Sequence, residues 1–120
     1  MKASNFEPLS RLLRGDTARV RRVLDVFARC TGEDLQRLDR AWASRDWATI
    51  GALTHKMKSG CLQIGETAAA QGLASIERAV SAGSPGDCLG QTFASTRDEL
   101  DRVMMRVLAY LAYPDEAGET

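Results

Sequence analysis

The segment Asp46–Gly65, DWATIGALTHKMKSGCLQIG, decides how the rest of the chain reads. Ile50, Leu53, Met57, Cys61 and Ile64 recur at three- and four-residue steps, the spacing of one face of a helix. Asp46 stands where an N-cap is needed, its carboxylate able to accept from the free amides of the first turn, which holds Trp47. Gly65 is placed to end the helix, because a left-handed terminating residue costs glycine nothing.

The same period continues on either side. Phe6 to Leu13 predicts a short lead-in helix stopped by Gly15, with Asp16 as N-cap for the next helix. Val20, Leu24, Phe27, Thr31, Leu35, Leu38 and Trp42 form the inner face of that long second helix, in which Gly32 allows a bend or a split. After Gly65, Thr67 opens a helix that buries Ala69, Leu73, Ile76 and Val80. Ser81–Gly86 reads as a loop, and Leu89, Phe93, Leu100, Met104, Val107 and Leu111 face inward from a last helix over about 87–112. Pro114 stops it, and Asp115–Thr120 reads as a polar tail.

Four amphipathic helices with short connections pack most simply as neighbours that alternate in direction. The expected fold is therefore all-α, an antiparallel up-and-down four-helix bundle with a short N-terminal lead-in helix. It is expected as one domain over 1–120, with the lead-in at 1–15, the bundle at 16–112 and the tail at 113–120.

Composition narrows the function classes. The chain has 120 residues, 44% of them hydrophobic and 27% charged, with 16 basic side chains balanced by 16 acidic ones. That balance argues against a general nucleic-acid binder, which concentrates positive charge. No apolar run nears the ~20 residues of a membrane span, and the N-terminus lacks a signal peptide's apolar segment. A cytoplasmic domain without membrane contact is expected. Cys30, Cys61 and Cys88 are scattered, and with a single histidine they make no zinc pattern, so they read as reduced thiols filling core positions.

That single histidine is His55. At roughly 100° per residue it lies about 160° from the centre of the Ile50–Ile64 stripe, and so points to solvent rather than into the core. Gly51, Ala52, Ser59 and Leu62 share its face, and Ala48 extends it toward the N-terminus. A free helix surface ordinarily carries long charged side chains there. Small residues ending in an exposed leucine instead permit the close approach of another protein. Lys56 and Lys58 border the strip, and Lys58 is three positions from His55. An exposed imidazole has a nitrogen free to attack phosphorus, and a neighbouring lysine offers charge to phosphoryl oxygens. A solvated surface histidine beside two ordinary lysines is the plainer alternative from these residues alone.

The segment His55-Lys56-Met57-Lys58-Ser59-Gly60-Cys61-Leu62-Gln63-Ile64-Gly65 resembles the signature of histidine-phosphotransfer (HPt) domains. That family has an aliphatic residue two positions after its histidine, a lysine three positions after, then small residues, and a glycine ten positions after. Met57, Lys58, Ser59-Gly60 and Gly65 match those places. Asp46-Trp47 resembles the family's entry to the histidine helix, and Leu73 with Ile76-Glu77 resembles the leucine and Leu-Glu elements of its next helix. One departure is Ser59, which stands where the family usually has glycine directly after the lysine.

The resemblance implies a phosphorelay carrier without autonomous kinase activity. His55 would accept a phosphoryl group from a receiver-domain aspartate and pass it to another, with Lys58 as phosphate-side support. Ala48, Gly51, Ala52, Ser59 and Leu62 would form the docking surface, and Lys56 would assist in steering. It also implies no cofactor or metal on this domain, with Mg²⁺ on the receiver partner. The partners would be response-regulator receiver domains and a hybrid histidine kinase, with no nucleic acid, and the domain is expected to be monomeric. A dimerisation domain of a histidine kinase fits less well, since Lys56 follows the histidine where an acidic residue is usual and one chain can fill the bundle alone. A phosphorylation-independent interaction module on the same bundle is the remaining alternative. A hydrolase is disfavoured, because no convergent set of polar partners surrounds the histidine in the sequence.

Overall fold

The computed structural model describes residues 6–83, 86 and 88–112. Five helices succeed one another: α1 (Glu7–Leu12), α2 (Thr17–Ala43), α3 (Trp47–Gln63), α4 (Thr67–Ser81) and α5 (Leu89–Ala112). No strand occurs among the described residues, and none of these helices is long and apolar enough to cross a membrane. Packing runs α2 on α3, α3 on α4, α4 on α5 and α5 back on α2, so the four long helices close a ring around one core.

Helix ends are set by local chemistry. Asp16 accepts from the Arg19 amide at 3.2 Å, and Asp46 accepts from the Thr49 amide at 3.2 Å and the Thr49 hydroxyl at 2.7 Å. The Thr49 hydroxyl, and then its amide, hold the Asp46 carboxyl below its ordinary pKa. The ends of α3 and α2 share one pattern, which the end of α1 shows too at Arg14 and Gly15. Glu66 N–H donates to Cys61 C=O and Gly65 N–H to Leu62 C=O, with Gly65 left-handed at φ 84°. Asp46 N–H donates to Ala41 C=O and Arg45 N–H to Trp42 C=O, with Arg45 at φ 57°. This six-to-one and five-to-two pairing satisfies carbonyls that the helix leaves orphaned. Arginine takes the position that glycine fills more easily, its guanidinium lying 5.3 Å from the Trp42 ring centre and 5.9 Å from that of Trp47. The residue after Arg45 and the residue after Gly65 are also the N-caps of the next helices, so the chain reverses at once and α2, α3 and α4 alternate in direction.

The core takes Val20, Leu24 and Leu38 from α2, Ile50 and Met57 from α3, Leu73 and Ile76 from α4, and Leu100, Val103 and Val107 from α5. α1 covers the end where α3 meets α4. Pro8 lies over Gly65, and Phe6 meets Tyr110 edge-on at 5.6 Å. At the other end Trp42 stacks on Phe93 at 4.0 Å.

Several details differ from the sequence-based expectation. Gly32 does not split α2, which runs unbroken from Thr17 to Ala43. α4 extends through Ser81, one residue into the expected loop, and α5 begins at Leu89. Asp87, Ser84-Pro85 and the segment 113–120 with Pro114 lie outside the described residues. Trp42, Val80, Met104 and Leu111 are only partly buried at the edge of the core. Of the three thiols only Cys61 is a core residue. Burial, and after it the charge of Glu66, pushes its thiol up to about 12, which suppresses the reactive thiolate. Iodoacetamide is expected to modify exposed Cys30 and Cys88 in the native protein and to spare Cys61, as read by peptide mass spectrometry.

α4 and α5 approach closely at Gly72. A Cβ there would collide with Thr96 Oγ1 and lie 3.1 Å from both Cβ and Cγ2, so rotating the threonine hydroxyl away still leaves its Cβ tight and the helices must give. Gly72→Ala improves helix propensity by about 1 kcal/mol, yet overpacking costs about 1–3 kcal/mol. A net loss is expected, visible as a lower midpoint in urea. Adding Thr96→Ala should restore part of it, since the two changes share one contact.

Candidate functional site

His55 lies at the middle of α3, about 12 Å from either end of the helix at 1.5 Å per residue. Three turns of α3 are anchored beneath it by Ile50, Leu53, Met57 and Cys61, all buried, and by Thr54, whose hydroxyl donates to the Ile50 carbonyl at 2.9 Å. The imidazole side chain is 66% exposed. Its orientation is set from α4, where Glu77 Oε2 lies 2.8 Å from His55 Nδ1.

The other oxygen of the same carboxylate accepts from Lys58 Nζ at 2.9 Å. Lys58 is the leading cause that lowers the Glu77 pKa; burial opposes it, and the hydrogen bond from His55 adds to the lowering. Glu77 therefore stays ionised at neutral pH and can only accept. His55 Nδ1 must then carry the proton, and the lone pair of the neutral ring lies on Nε2, the nitrogen turned away from α4. A carboxylate behind one imidazole nitrogen fixes the tautomer and the orientation of the ring.

The expected face divides into strips. Ala48, Ala52, Ser59 and Leu62 are exposed, Leu62 at 54%. Gly51 turns further toward α4 than rotation along α3 alone predicts and is half-buried, its missing Cβ facing Val80 at 3.6 Å. Lys58 is also drawn toward α4, half-buried against Glu77 rather than extended beside the imidazole. Lys56 leans the other way, to α2, where its Nζ lies 3.1 Å from Asp34. The Asp34 side chain is 5% exposed, with Arg37 at 4.0 Å as a second cation. Both lysines of the strip are thus tied to carboxylates on neighbouring helices.

A bare surface histidine would have none of this support. A model of the Hpt domain matches residues 22–105, well over half of the chain. The chain belongs to the Hpt domain family. Hpt domains are phosphocarrier modules of two-component phosphorelays rather than kinases, and they interact with receiver domains and kinases. Comparisons with curated proteins and with solved structures returned no match.

Two members of this Hpt site are not evident from the sequence. There Glu77 figures only as part of a family element, and Asp34 does not figure. Glu77 has a signal: it lies twelve residues after Gly65 and His55 ten before it, so an antiparallel pair brings them to nearly one level. Asp34 has none, because its partner sits on a helix whose rotation is a property of packing. No group of side chains able to hold a metal ion occurs among the described residues.

Proposed function

We infer that this Hpt domain carries a phosphoryl group on Nε2 of His55, taking it from the aspartyl phosphate of one receiver domain and giving it to the aspartate of another. The observation that supports this most is the pairing of His55 Nδ1 with an ionised Glu77 while the ring stays open to solvent. In the forward step the Nε2 lone pair attacks phosphorus, the P–O bond to the donor aspartate breaks, and that carboxylate leaves with the bonding electrons. The Nδ1 proton stays on the ring, held by Glu77, and spreads the positive charge that would otherwise sit on the attacking nitrogen. Phosphoryl transfer depends on positioning and charge neutralisation, and Mg²⁺ on the receiver supplies most of the latter. The carrier acts as a cytoplasmic monomer, with a hybrid histidine kinase upstream.

Lys58 has a role in two steps on this reading. In the resting state it holds Glu77, and once a phosphoryl group is on Nε2 its ammonium is within one helical turn of the new negative charge. Lys56 and the strip of Ala48, Gly51, Ala52, Ser59 and Leu62 form the receiver-docking face.

The direct test is to mix the chain with receiver domains charged by acetyl phosphate. A label that is acid-labile and alkali-stable, as an N–P bond requires, supports the reading; failure of every receiver to label the chain overturns it. Sedimentation is expected to give one species at the chain mass of 13.1 kDa. Docking is tested by Ala52→Arg, which sets a long cation one turn from the histidine. Exposed positions tolerate such changes within about 0.5 kcal/mol, so folding is unaffected. Transfer is expected to slow at least roughly tenfold, or about 1.4 kcal/mol of barrier. Unaltered transfer would move the docking face elsewhere on α3.

A further inference from the structure

Ser59 lies four residues beyond His55 on α3, one helical turn away, and it is exposed. It stands where the family pattern has glycine, so this chain has a hydroxyl beside its histidine that the usual residue lacks. A helical serine or threonine can turn its hydroxyl onto the carbonyl four residues back, as Thr54 does on Ile50 at 2.9 Å. Ser59 makes no such bond, and its hydroxyl is uncommitted among the described residues.

The ion pairs to neighbouring helices show which flank of the imidazole Ser59 occupies. At roughly 100° per residue, Lys58 lies about 60° to one side of His55. Ser59 lies about 40° to the other side, with Ala52 at about 60° and Lys56 at about 100° beyond it. Lys58 reaches α4, where it bonds Glu77, and Lys56 reaches α2, where it bonds Asp34. Ser59 is therefore on the α2 flank.

Nε2 is turned to that same flank, because Glu77 holds Nδ1 toward α4 at 2.8 Å. Within one turn of His55 on this flank, Ala52 has no donor to offer, and the Lys56 ammonium is taken by Asp34 at 3.1 Å. The Ser59 hydroxyl remains. Cβ atoms four residues apart on a helix lie about 5–6 Å from each other. Helical side chains also lean toward the N-terminus, which brings the Ser59 hydroxyl back over the turn that holds His55. A tetrahedral phosphoryl group on Nε2 spans that gap.

We propose that the Ser59 hydroxyl donates a hydrogen bond to a phosphoryl oxygen carried on His55 Nε2, and so favours the phosphorylated form of this chain over that of its receivers. This rests on the phosphocarrier reading. The group is then flanked from two sides, by the charge of Lys58 on the α4 side and by a directed donor on the α2 side. A hydroxyl that donates to a charged oxygen makes a stronger bond than one between neutral groups, and glycine or alanine would leave that oxygen to water.

The test uses the full chain and a receiver domain whose aspartyl phosphate outlasts the approach to equilibrium. The receiver is charged with acetyl phosphate, freed of it, and mixed with the parent, Ser59→Ala or Ser59→Gly. Concentrations are kept low enough that little complex is present, and the label on each protein is read at equilibrium. The free end states alone set this partition. A change confined to the docking surface alters the forward and reverse rates together and leaves the partition where it was. Both variants should keep the helical signal of the parent, since the position is exposed. In both, the partition is expected to move toward the receiver by roughly three- to tenfold, the range of one hydrogen bond. A partition equal to that of the parent, with or without altered rates, overturns the proposal and leaves His55 as the acceptor. A shift in only one of the two variants overturns it too, since both lack the hydroxyl. A parent that takes no label from any receiver overturns the phosphocarrier reading, and this proposal with it.

Discussion

His55→Gln is expected to accept no phosphoryl group from any receiver that labels the parent. Glutamine keeps a polar side chain of similar reach and can still donate to Glu77, so the surface around position 55 stays nearly the same. What it lacks is a nucleophilic nitrogen, because the amide lone pair is delocalised into its carbonyl. The histidine side chain is two-thirds exposed and the core packing beneath it is untouched, so helicity and the unfolding midpoint should match the parent within about 0.5 kcal/mol. Receiver binding should persist, since the small-residue strip and Leu62 are unchanged. The decisive measurement is phosphate incorporation alongside a binding isotherm. Incorporation at the parental level would remove His55 from the reaction, whereas failure of both binding and labelling would point to a docking defect instead.

The second large effect is expected from Glu77→Ala. This carboxylate meets the imidazole from α4, and it also holds Lys58. Its removal frees the ring to rotate and lets the proton redistribute between Nδ1 and Nε2. Loss of a carboxylate that orients a functional histidine typically costs 10–100-fold, and a decrease of that order in the first-order transfer rate is expected here. A purely structural role would be silent in the imidazole ¹⁵N spectrum, so the tautomer is the discriminating readout. The parent should show Nδ1 protonated in the neutral ring, and the variant a mixture. A transfer defect with an unchanged tautomer would assign Glu77 to docking alone.

The pH behaviour of that carboxylate has a definite sign. Its pKa in the folded chain is lowered, chiefly by the Lys58 hydrogen bond. Its contribution to stability is therefore complete above the ordinary glutamate range and is lost as pH falls through the lowered value. Lys58→Met removes the leading cause, so Glu77 should protonate at higher pH than in the parent, as a carboxyl NMR titration would show. The Nδ1 contact should fail at that same higher pH.

Much of the fold is legible in the sequence because its determinants are local. The Ile50–Ile64 stripe, the Asp16 and Asp46 caps and the left-handed Gly65 each act within a few residues, where sequence distance equals spatial distance. The outward direction of His55 is legible for the same reason, since rotation along one helix depends on that helix alone. Arg45 shows the limit: a non-glycine terminator is held by two tryptophan rings, one of them in the adjoining helix.

By itself, then, the sequence determined an all-helical chain, where its helices start and stop, and that its one histidine faces solvent among small residues. Only tertiary structure decided what lies behind that histidine. The Glu77 carboxylate and the capture of Lys58 by α4 and of Lys56 by Asp34 all depend on how neighbouring helices are rotated and how closely they cross. Those quantities come from the interlocking of whole side-chain layers, such as Gly72 against Thr96, and not from any period within one segment. The chain can present a nucleophile from one helix, but orienting it takes two.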